Sequence, residues 1–262
     1  MDNPCGVFDY PIRGTETDWS DRLQLTALFS LMQESAVFNA DEHGWGAETL
    51  DPLGISWVLL RVSVRMEDFP RWRDVFRVET WPRDQDRMLF HRDFLFYRPD
   101  GAGGQTTLGA ATTSWVLVDT LTHRPRRPTS IPYDRARSEP ARHALEFDAP
   151  AIAAVAGLCD GPPAIVKYAD ACDIDRNLHV NNTRYITWCV DAVNRSAIDY
   201  ASITGIDINY LSEVKFGQKV LIYVQEKTDG PEHGFFVEGR EAEKSLAVFR
   251  AILYTCQGIS VS

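Results

Sequence analysis

The chain passes twice through one order of hydropathy patterns, so a fold for it must repeat. The first pass opens with a strand-like piece at residues 7–12. A helix follows in which Leu25, Leu28, Phe29, Met32 and Ala36 recur at spacings of three and four, on one face, until Gly44 and Gly46 end it. Runs of period two come next, at 58–66, 75–81, 89–97 and 106–118. Pro82-Arg83-Asp84 and the glycine-rich stretch from Asp100 to Gly104 mark turns between them. The second pass has a short strand at 164–168 and a helix with Tyr185, Trp188, Cys189, Ala192, Val193 and Ser196 on one stripe. Strands follow at 203–211, 219–227, 234–241 and 245–255, with a turn at Asp229-Gly230-Pro231.

Matching landmarks lie 155 positions apart for Asp18 and Asp173, 154 for Asp21 and Asp175, and 151 for Gly54-Ile55 and Gly205-Ile206. A near-constant offset is the mark of an internal duplication. A length of 262 residues suits two modules of about 120 each. One long helix wrapped by an antiparallel sheet is the hot-dog plan, so the expectation is an α+β tandem (double) hot-dog. The modules are expected at 1–124 and 162–262. They are joined by a proline-rich connection at 125–161 that carries one short helix and wraps across the surface.

Charge narrows the partners. Asp and Glu number 37 against 27 Lys and Arg, and a net charge of −10 argues against nucleic acid. Only five of the basic residues are Lys, and many of the arginines fall between Arg61 and Arg142, so a local docking patch for an acidic partner is compatible with the overall sign. No apolar run approaches the roughly 18 to 20 residues that would span a bilayer. Five scattered cysteines without a CxxC pair fit reduced thiols better than a disulfide framework. The start Met1-Asp2-Asn3-Pro4 has neither signal-peptide nor transit-peptide character, so the expectation is a complete, soluble, cytoplasmic chain.

The segment Asp173-Ile174-Asp175-Arg176-Asn177-Leu178-His179-Val180-Asn181-Asn182 is the most unusual. If it is extended, alternation turns Asp175, Asn177 and His179 to one side, with Ile174, Leu178 and Val180 anchoring the other. A carboxylate, an amide and an imidazole that converge can orient a water, hold a carbonyl and move a proton. Asn181 or Asn182 is a natural helix cap, and the first-turn amides beyond it would stabilise a carbonyl oxygen as it becomes negative. No HExxH, P-loop or GxGxxG is present, so neither a metal nor a cofactor is implied. His43, beside Gly44, reads as a helix-end residue, and His91, His123, His143 and His233 have no matching partners in sequence.

That ten-residue run, followed by Tyr185 and Trp188, resembles the acyl-acyl carrier protein thioesterases of plants and bacteria. In the first half, Leu31-Met32-Gln33-Glu34-Ser35-Ala36, Trp57-Val58-Leu59-Leu60-Arg61, Thr80-Trp81-Pro82, Arg92-Asp93-Phe94 and Ser114–Asp119 resemble the same family. The resemblance covers most of the chain apart from the connection. It implies that Asp175, Asn177 and His179 are catalytic. It also places Glu213, in Asn209-Tyr210-Leu211-Ser212-Glu213-Val214, on the family's catalytic Glu. Val214 stands where plant-type members carry Cys, and valine has no thiol for a nucleophilic mechanism.

The resemblance therefore implies hydrolysis of fatty acyl-acyl carrier protein by water, activated by Glu213 and His179 with either as the base, Asp175 fixing the imidazole or tuning its basicity, and Asn177 placing water or carbonyl. The substrate partner would be acyl carrier protein bearing a fatty acyl phosphopantetheine, with Arg124, Arg126 and Arg127 as candidate docking residues. The first half has no such constellation, since Gln24 or Leu25 stands where the imidazole would be. That half is expected to bind the acyl chain, with Leu28, Phe29, Met32 and Phe38 as candidate tunnel residues. An acyl-CoA or aryl-CoA thioesterase and a noncatalytic acyl-binding protein are the alternatives; a dehydratase would need a His-plus-acid arrangement that is not evident. Oligomeric state stays open, with a homodimer among the options.

Overall fold

A computed structural model describes residues 4–131, 138–139, 141–194, 203–228 and 232–256. Contacts divide the chain into two compact units, Met1–Ala149 and Pro150–Ser262. The division falls inside the connection expected at 125–161.

Unit 1 contains β1 (Gly6–Pro11), α1 (Leu25–Glu42), a short α2 (Ala47–Leu50), β2 (Ile55–Met66), β3 (Val75–Asp86), β4 (Leu89–Pro99) and β5 (Gln105–Asp119). All its strand pairs are antiparallel, in the order β1-β3-β4-β5-β2. The helix stripe read from sequence is buried: Leu25, Leu28, Phe29, Met32 and Ala36 all face the core that Phe76, Val78, Phe94 and Phe96 help to build. Phe38 is half-exposed and packs on Phe8, with ring centroids 5.8 Å apart.

Two local expectations fail for one reason. Strict alternation through 58–66 is broken by a bulge at Leu60, where the pairing slips between Leu59↔Trp115 and Arg61↔Ser114. Ile55 and Leu59 are buried before the bulge and Val62, Val64 and Met66 after it, because one extra residue exchanges the two faces. Likewise, Pro82-Arg83-Asp84 is not a turn. β3 runs on to Asp86 through a bulge between Pro82 and Gln85, and Arg87, with φ of 53°, makes the hairpin. The missing N–H of Pro82 is tolerated at such an irregularity.

Unit 2 contains β6 (Ile165–Tyr168), α3 (Asn182–Asn194), β7 (Ile203–Tyr210), β8 (Lys219–Lys227), β9 (Gly234–Glu241) and β10 (Leu246–Thr255). Its strands run antiparallel in the order β7-β10-β9-β8-β6. α3 buries Tyr185, Ile186, Trp188, Cys189, Ala192 and Val193. Ser196 and Asp229-Gly230-Pro231 lie outside the described residues. Each unit is thus one long helix with a five-stranded antiparallel sheet, the α+β hot-dog plan in tandem.

The residues around the division are anchored by polar bonds. In unit 1 Pro125 pairs with Val118, the short helix is a 3-10 turn at Pro128–Ser130, and Ile131 joins the core of Leu50, Ile55, Phe90 and Leu117. Further on, Arg142 grips both oxygens of Glu79 at 3.0 and 2.8 Å and lies 3.8 Å above the Trp81 ring. Ala144 N–H donates to Asp93 Oδ2 at 2.9 Å, and Asp148 pairs with buried Arg83. In unit 2 the buried Asn209 amide accepts from Ile152 N–H and donates to Pro150 O, at 2.7 and 2.8 Å. Among the described residues all five cysteines are unbridged. Burial and the adjacent Glu79 push the Cys5 thiol up to about 12, which keeps it protonated and unreactive at neutral pH.

Candidate active site

The ten-residue polar run is not extended. Ile174 and Val180 form an antiparallel bridge, and the chain between them folds back as a tight turn. Asp175 N–H donates to His179 O at 2.9 Å, and Leu178 N–H donates to Asp175 O at 3.0 Å. The Asp175 carboxylate accepts the Asn177 N–H at 2.8 Å, the usual way an Asp closes a turn. Alternation therefore does not decide which side chains converge here, because turn bonds replace the extended backbone. Asn177 is exposed on the turn, His179 is partly buried beside it, and Val180 is buried.

Leu178 corrects the expected anchor. Its side chain is 75% exposed and its φ is 65°, a left-handed conformation that costs a residue with a Cβ roughly 1 kcal/mol. Leu178→Gly should therefore raise stability by up to about 1 kcal/mol, read as a higher urea midpoint. A lower midpoint would mean that the leucine makes a compensating contact.

His179 finds its partner across the fold. Its Nε2 lies 2.9 Å from Glu213 Oε2, with the imidazole largely buried and the carboxylate 47% exposed. The contact is held from behind, since Val180 N–H donates to Val214 O at 2.8 Å and fixes the residue after His179 to the residue after Glu213. Val214 is fully buried. Of the four residues expected at the site, the structure brings His179 and Glu213 into direct contact. It places Asp175 and Asn177 on the turn that carries the imidazole.

Asn181 caps α3: its Oδ1 accepts the Thr183 N–H at 2.9 Å and the Thr183 hydroxyl at 2.8 Å, and its carbonyl accepts the Arg184 N–H at 2.9 Å. Two of the first-turn amides expected to face a substrate are thereby satisfied within the protein. What the helix offers beyond them is the field of its positive end. Sequence reasoning used Tyr185 only as a mark of resemblance. Its ring is buried against Trp188, Tyr210 and Phe249, with centroids 5.2, 5.7 and 5.3 Å away, a packing that no spacing rule reveals.

Unit 1 carries the same turn with different side chains. Thr17 bridges Leu23 as Ile174 bridges Val180. Asp18 N–H donates to Arg22 O at 2.8 Å, and Asp18 Oδ1 accepts the Ser20 N–H at 2.7 Å. Asp21 has φ of 62°, as Leu178 has 65°. Equivalent residues are thus 157 apart here, which corrects the offsets of 154 and 155. Arg22, and neither Gln24 nor Leu25, stands in the place of His179. After β2, the amides of Glu67 and Asp68 both donate to Leu108 O, as those of Leu211 and Ser212 donate to Val248 O. Phe69 therefore stands in the place of Glu213. The Arg22 guanidinium sits 4.7 Å from the Phe69 ring centroid, a cation–π contact where unit 2 has an imidazole and a carboxylate. The Gly54 and Gly205 match is fortuitous, since Gly54 makes a left-handed turn before β2 whereas Gly205 pairs with Tyr254 inside β7.

These features define a tandem hot-dog protein whose second repeat pairs a histidine, on the turn that leads into its helix, with a carboxylate from the segment after β7. Residues 7–134 match the family model for the acyl-ACP thioesterase N-terminal domain, and residues 165–248 match that for the acyl-ACP thioesterase C-terminal domain. The chain belongs to the acyl-ACP thioesterase family. It is 26% identical over 216 residues to oleoyl-acyl carrier protein thioesterase 2, chloroplastic, of Arabidopsis thaliana, an alignment covering 77% of this chain and 58% of that one. To the palmitoyl-acyl carrier protein thioesterase of Gossypium hirsutum it is 25% identical over 224 residues, covering 78% and 51%. The chain thus spans little more than half the length of these plant relatives. Its fold is that of an acyl-ACP thioesterase from Bacteroides thetaiotaomicron, with a TM-score of 0.81 at 23% identity over 96% of this chain and 97% of that one. The 12:0-ACP thioesterase of Umbellularia californica superposes with a TM-score of 0.73 at 24% identity, over 95% and 93%.

Proposed function

We propose that the chain hydrolyses the thioester of fatty acyl-acyl carrier protein, releasing the free fatty acid and ending chain elongation. The observation that carries this reading is the 2.9 Å contact between His179 and Glu213, in a chain that both domains of the family match. Water is the nucleophile, because buried Val214 offers no thiol. The His179–Glu213 pair takes a proton from the water as it attacks the thioester carbon, and returns one to the departing thiolate as the tetrahedral intermediate collapses. Asn177, exposed on the turn, orients the water or the carbonyl. Asp175 shapes the turn and so aims the imidazole. The positive end of α3 favours the oxyanion. The N-terminal half holds the acyl chain, with Leu28, Phe29 and Met32 as lining residues.

The reading makes acyl carrier protein the partner and the cytoplasm the working compartment. No helix among the described residues is long and apolar enough to cross a membrane. Hydrolysis of one acyl group on carrier protein and on CoA, repeated over a series of chain lengths, tests the proposal directly. A kcat/KM at least tenfold higher on carrier protein is expected; equal or better rates on CoA would move the assignment to an acyl-CoA thioesterase. No turnover of either would leave an acyl-binding protein.

Arg124, Arg126 and Arg127 are all exposed, and Arg126 already pairs with Asp119 at 2.9 Å. Changing the three to Glu should raise KM several-fold for carrier-linked substrate and leave hydrolysis of a small-thiol thioester unchanged, since exposed charges act mainly on encounter. An equal loss on both substrates would make the patch structural.

A further inference from the structure

We propose that Leu178 and Phe216 form an apolar rim beside the His179–Glu213 pair, on which the phosphopantetheine arm of the thioester lies. The inference rests on the hydrolytic reading above and goes beyond it by naming the residues that hold the thiol-bearing part of the substrate.

Three large apolar side chains stand in water around the pair. Leu178 immediately precedes His179 and is largely exposed; Leu211 and Phe216, two residues before Glu213 and three after it, are 45% and 67% exposed. The Val180 N–H to Val214 O bond at 2.8 Å runs between the two segments and keeps them side by side. Single exposed apolar residues are ordinary, but a group of them at a reacting pair marks a contact surface. Leu178 carries a second sign. Its left-handed backbone suits glycine or asparagine, and a leucine there keeps strain that the turn itself does not need.

Unit 1 shows the same frame without the chemistry. Asp21 takes the place of Leu178 with φ of 62°, in a residue type that tolerates this conformation, so the turn closes without a leucine. Leu23 N–H donates to Pro70 O at 2.9 Å as Val180 N–H does to Val214 O, which puts Trp72 in the place of Phe216. Trp72 N–H donates to Asp21 O at 2.9 Å, so these two places are neighbours. The residue that follows differs. Arg73 and Gly217 share a left-handed backbone, with φ of 74° and 80°. The Arg73 guanidinium covers the Trp72 ring at 4.2 Å from its centroid, whereas Gly217 has no side chain to cover Phe216. The half with the imidazole and the carboxylate therefore presents a leucine and an uncovered aromatic ring; the other half presents neither.

The chemistry of the arm matches this rim. It runs from the thioester sulfur through amides and a gem-dimethyl group to a phosphate, which a carrier protein or a nucleotide bears. That bulky bearer stays outside, and the Glu213 carboxylate, half-exposed, opens the pair to solvent. Methyl and methylene groups of the arm that settle on Leu178 and Phe216 leave water together with them. Lys215 is exposed between Glu213 and Phe216, and its ammonium makes no ion pair among the described residues, which leaves a cation for the phosphate.

The test is Leu178→Asn, which suits the backbone and removes the apolar contact. On carrier-linked and CoA-linked substrate alike, KM should rise about tenfold with kcat within about twofold, the scale of a few methylene groups returned to water. On the N-acetylcysteamine thioester of the same acyl group, which lacks most of the arm, the rise should be at least about fivefold smaller. Leu178→Met should keep KM near the wild-type value, and Phe216→Ser should repeat the loss. Equal losses on all three substrates would mean that the change acts through His179 and would overturn the proposal, as would a wild-type KM. A loss confined to carrier-linked substrate overturns it too, because the rim would then touch the carrier protein and not the arm. A second readout needs no turnover: the Leu178 methyl NMR signals should shift saturably on titration with free phosphopantetheine, and unmoved signals refute the contact. If the wild-type chain hydrolyses nothing yet these signals shift, the hydrolytic reading fails and the binding of the arm stands. Lys215→Gln should weaken phosphopantetheine more than pantetheine; an equal effect on both refutes the phosphate contact. A urea midpoint no lower than wild type in L178N separates these outcomes from unfolding.

Discussion

Glu213→Ala is expected to lower kcat by about two to four orders of magnitude, the range lost when a positioned acid or base is removed, while the protein stays folded. The carboxylate is 47% exposed, so little packing is lost with it, and the backbone on either side is held by bonds that do not involve the side chain. A change in stability within about 0.5 kcal/mol follows from that exposure. Glu213→Gln should behave like the alanine variant in turnover even though it keeps a polar neighbour for His179, because an amide neither takes a proton nor balances a cationic imidazole. His179→Ala should cost as much, and the double variant little more, since the two act as one unit. Turnover and thermal denaturation measured on the same preparations decide the matter. Near-normal kcat in the alanine variant would remove Glu213 from the mechanism.

The second large effect concerns stability and lies in unit 1. Asp93→Ala should destabilise the protein by about 3–5 kcal/mol, the cost of leaving one half of a buried ion pair uncompensated. Asp93 is fully buried in β4. One carboxylate oxygen accepts the Thr112 hydroxyl at 2.7 Å and lies 3.6 Å from Arg83 Nη1; the other accepts the Ala144 N–H at 2.9 Å. Its removal leaves a 1%-exposed guanidinium, a hydroxyl and an amide short of a partner together. Asp148 and Asp84 also touch Arg83, so the charge is not wholly stranded, and the lower end of the range is the more natural result. Asp9→Ala is the comparison, because its contact with Arg77 at 2.7 Å lies at the surface and should be worth no more than about 1 kcal/mol. Urea titration with an unchanged slope reads both. A loss below about 1 kcal/mol for Asp93→Ala would mean that water enters and hydrates Arg83.

Much of the architecture was legible in the residues. The helix stripe from Leu25 to Ala36 and the period-two runs of both halves became elements close to their expected bounds, because burial on one face imposes a period that survives in the sequence. The misplaced features are bulges and turns. Pro82 reads as a breaker locally, yet the pairing of β3 with β4 carries the strand past it. Leu60 looks like one more buried residue until the partner strand shows that it is the extra one. At the site, the polar run announced chemistry, and the family resemblance placed Glu213. The reasoning from alternation did not hold, because Asp175 closes a turn with the Asn177 amide.

The sequence by itself determined that the chain is a duplicated helix-and-sheet protein, that it is acidic overall, and that the polar run before the second helix is its distinctive chemical feature. Tertiary structure alone decided which side chains meet. Arg22 and His179 occupy the same place on the same kind of turn, and one faces an aromatic ring while the other faces a carboxylate. Periodicity records which face of an element is buried, but the register between distant segments is set by backbone hydrogen bonds. Those bonds carry no residue signature.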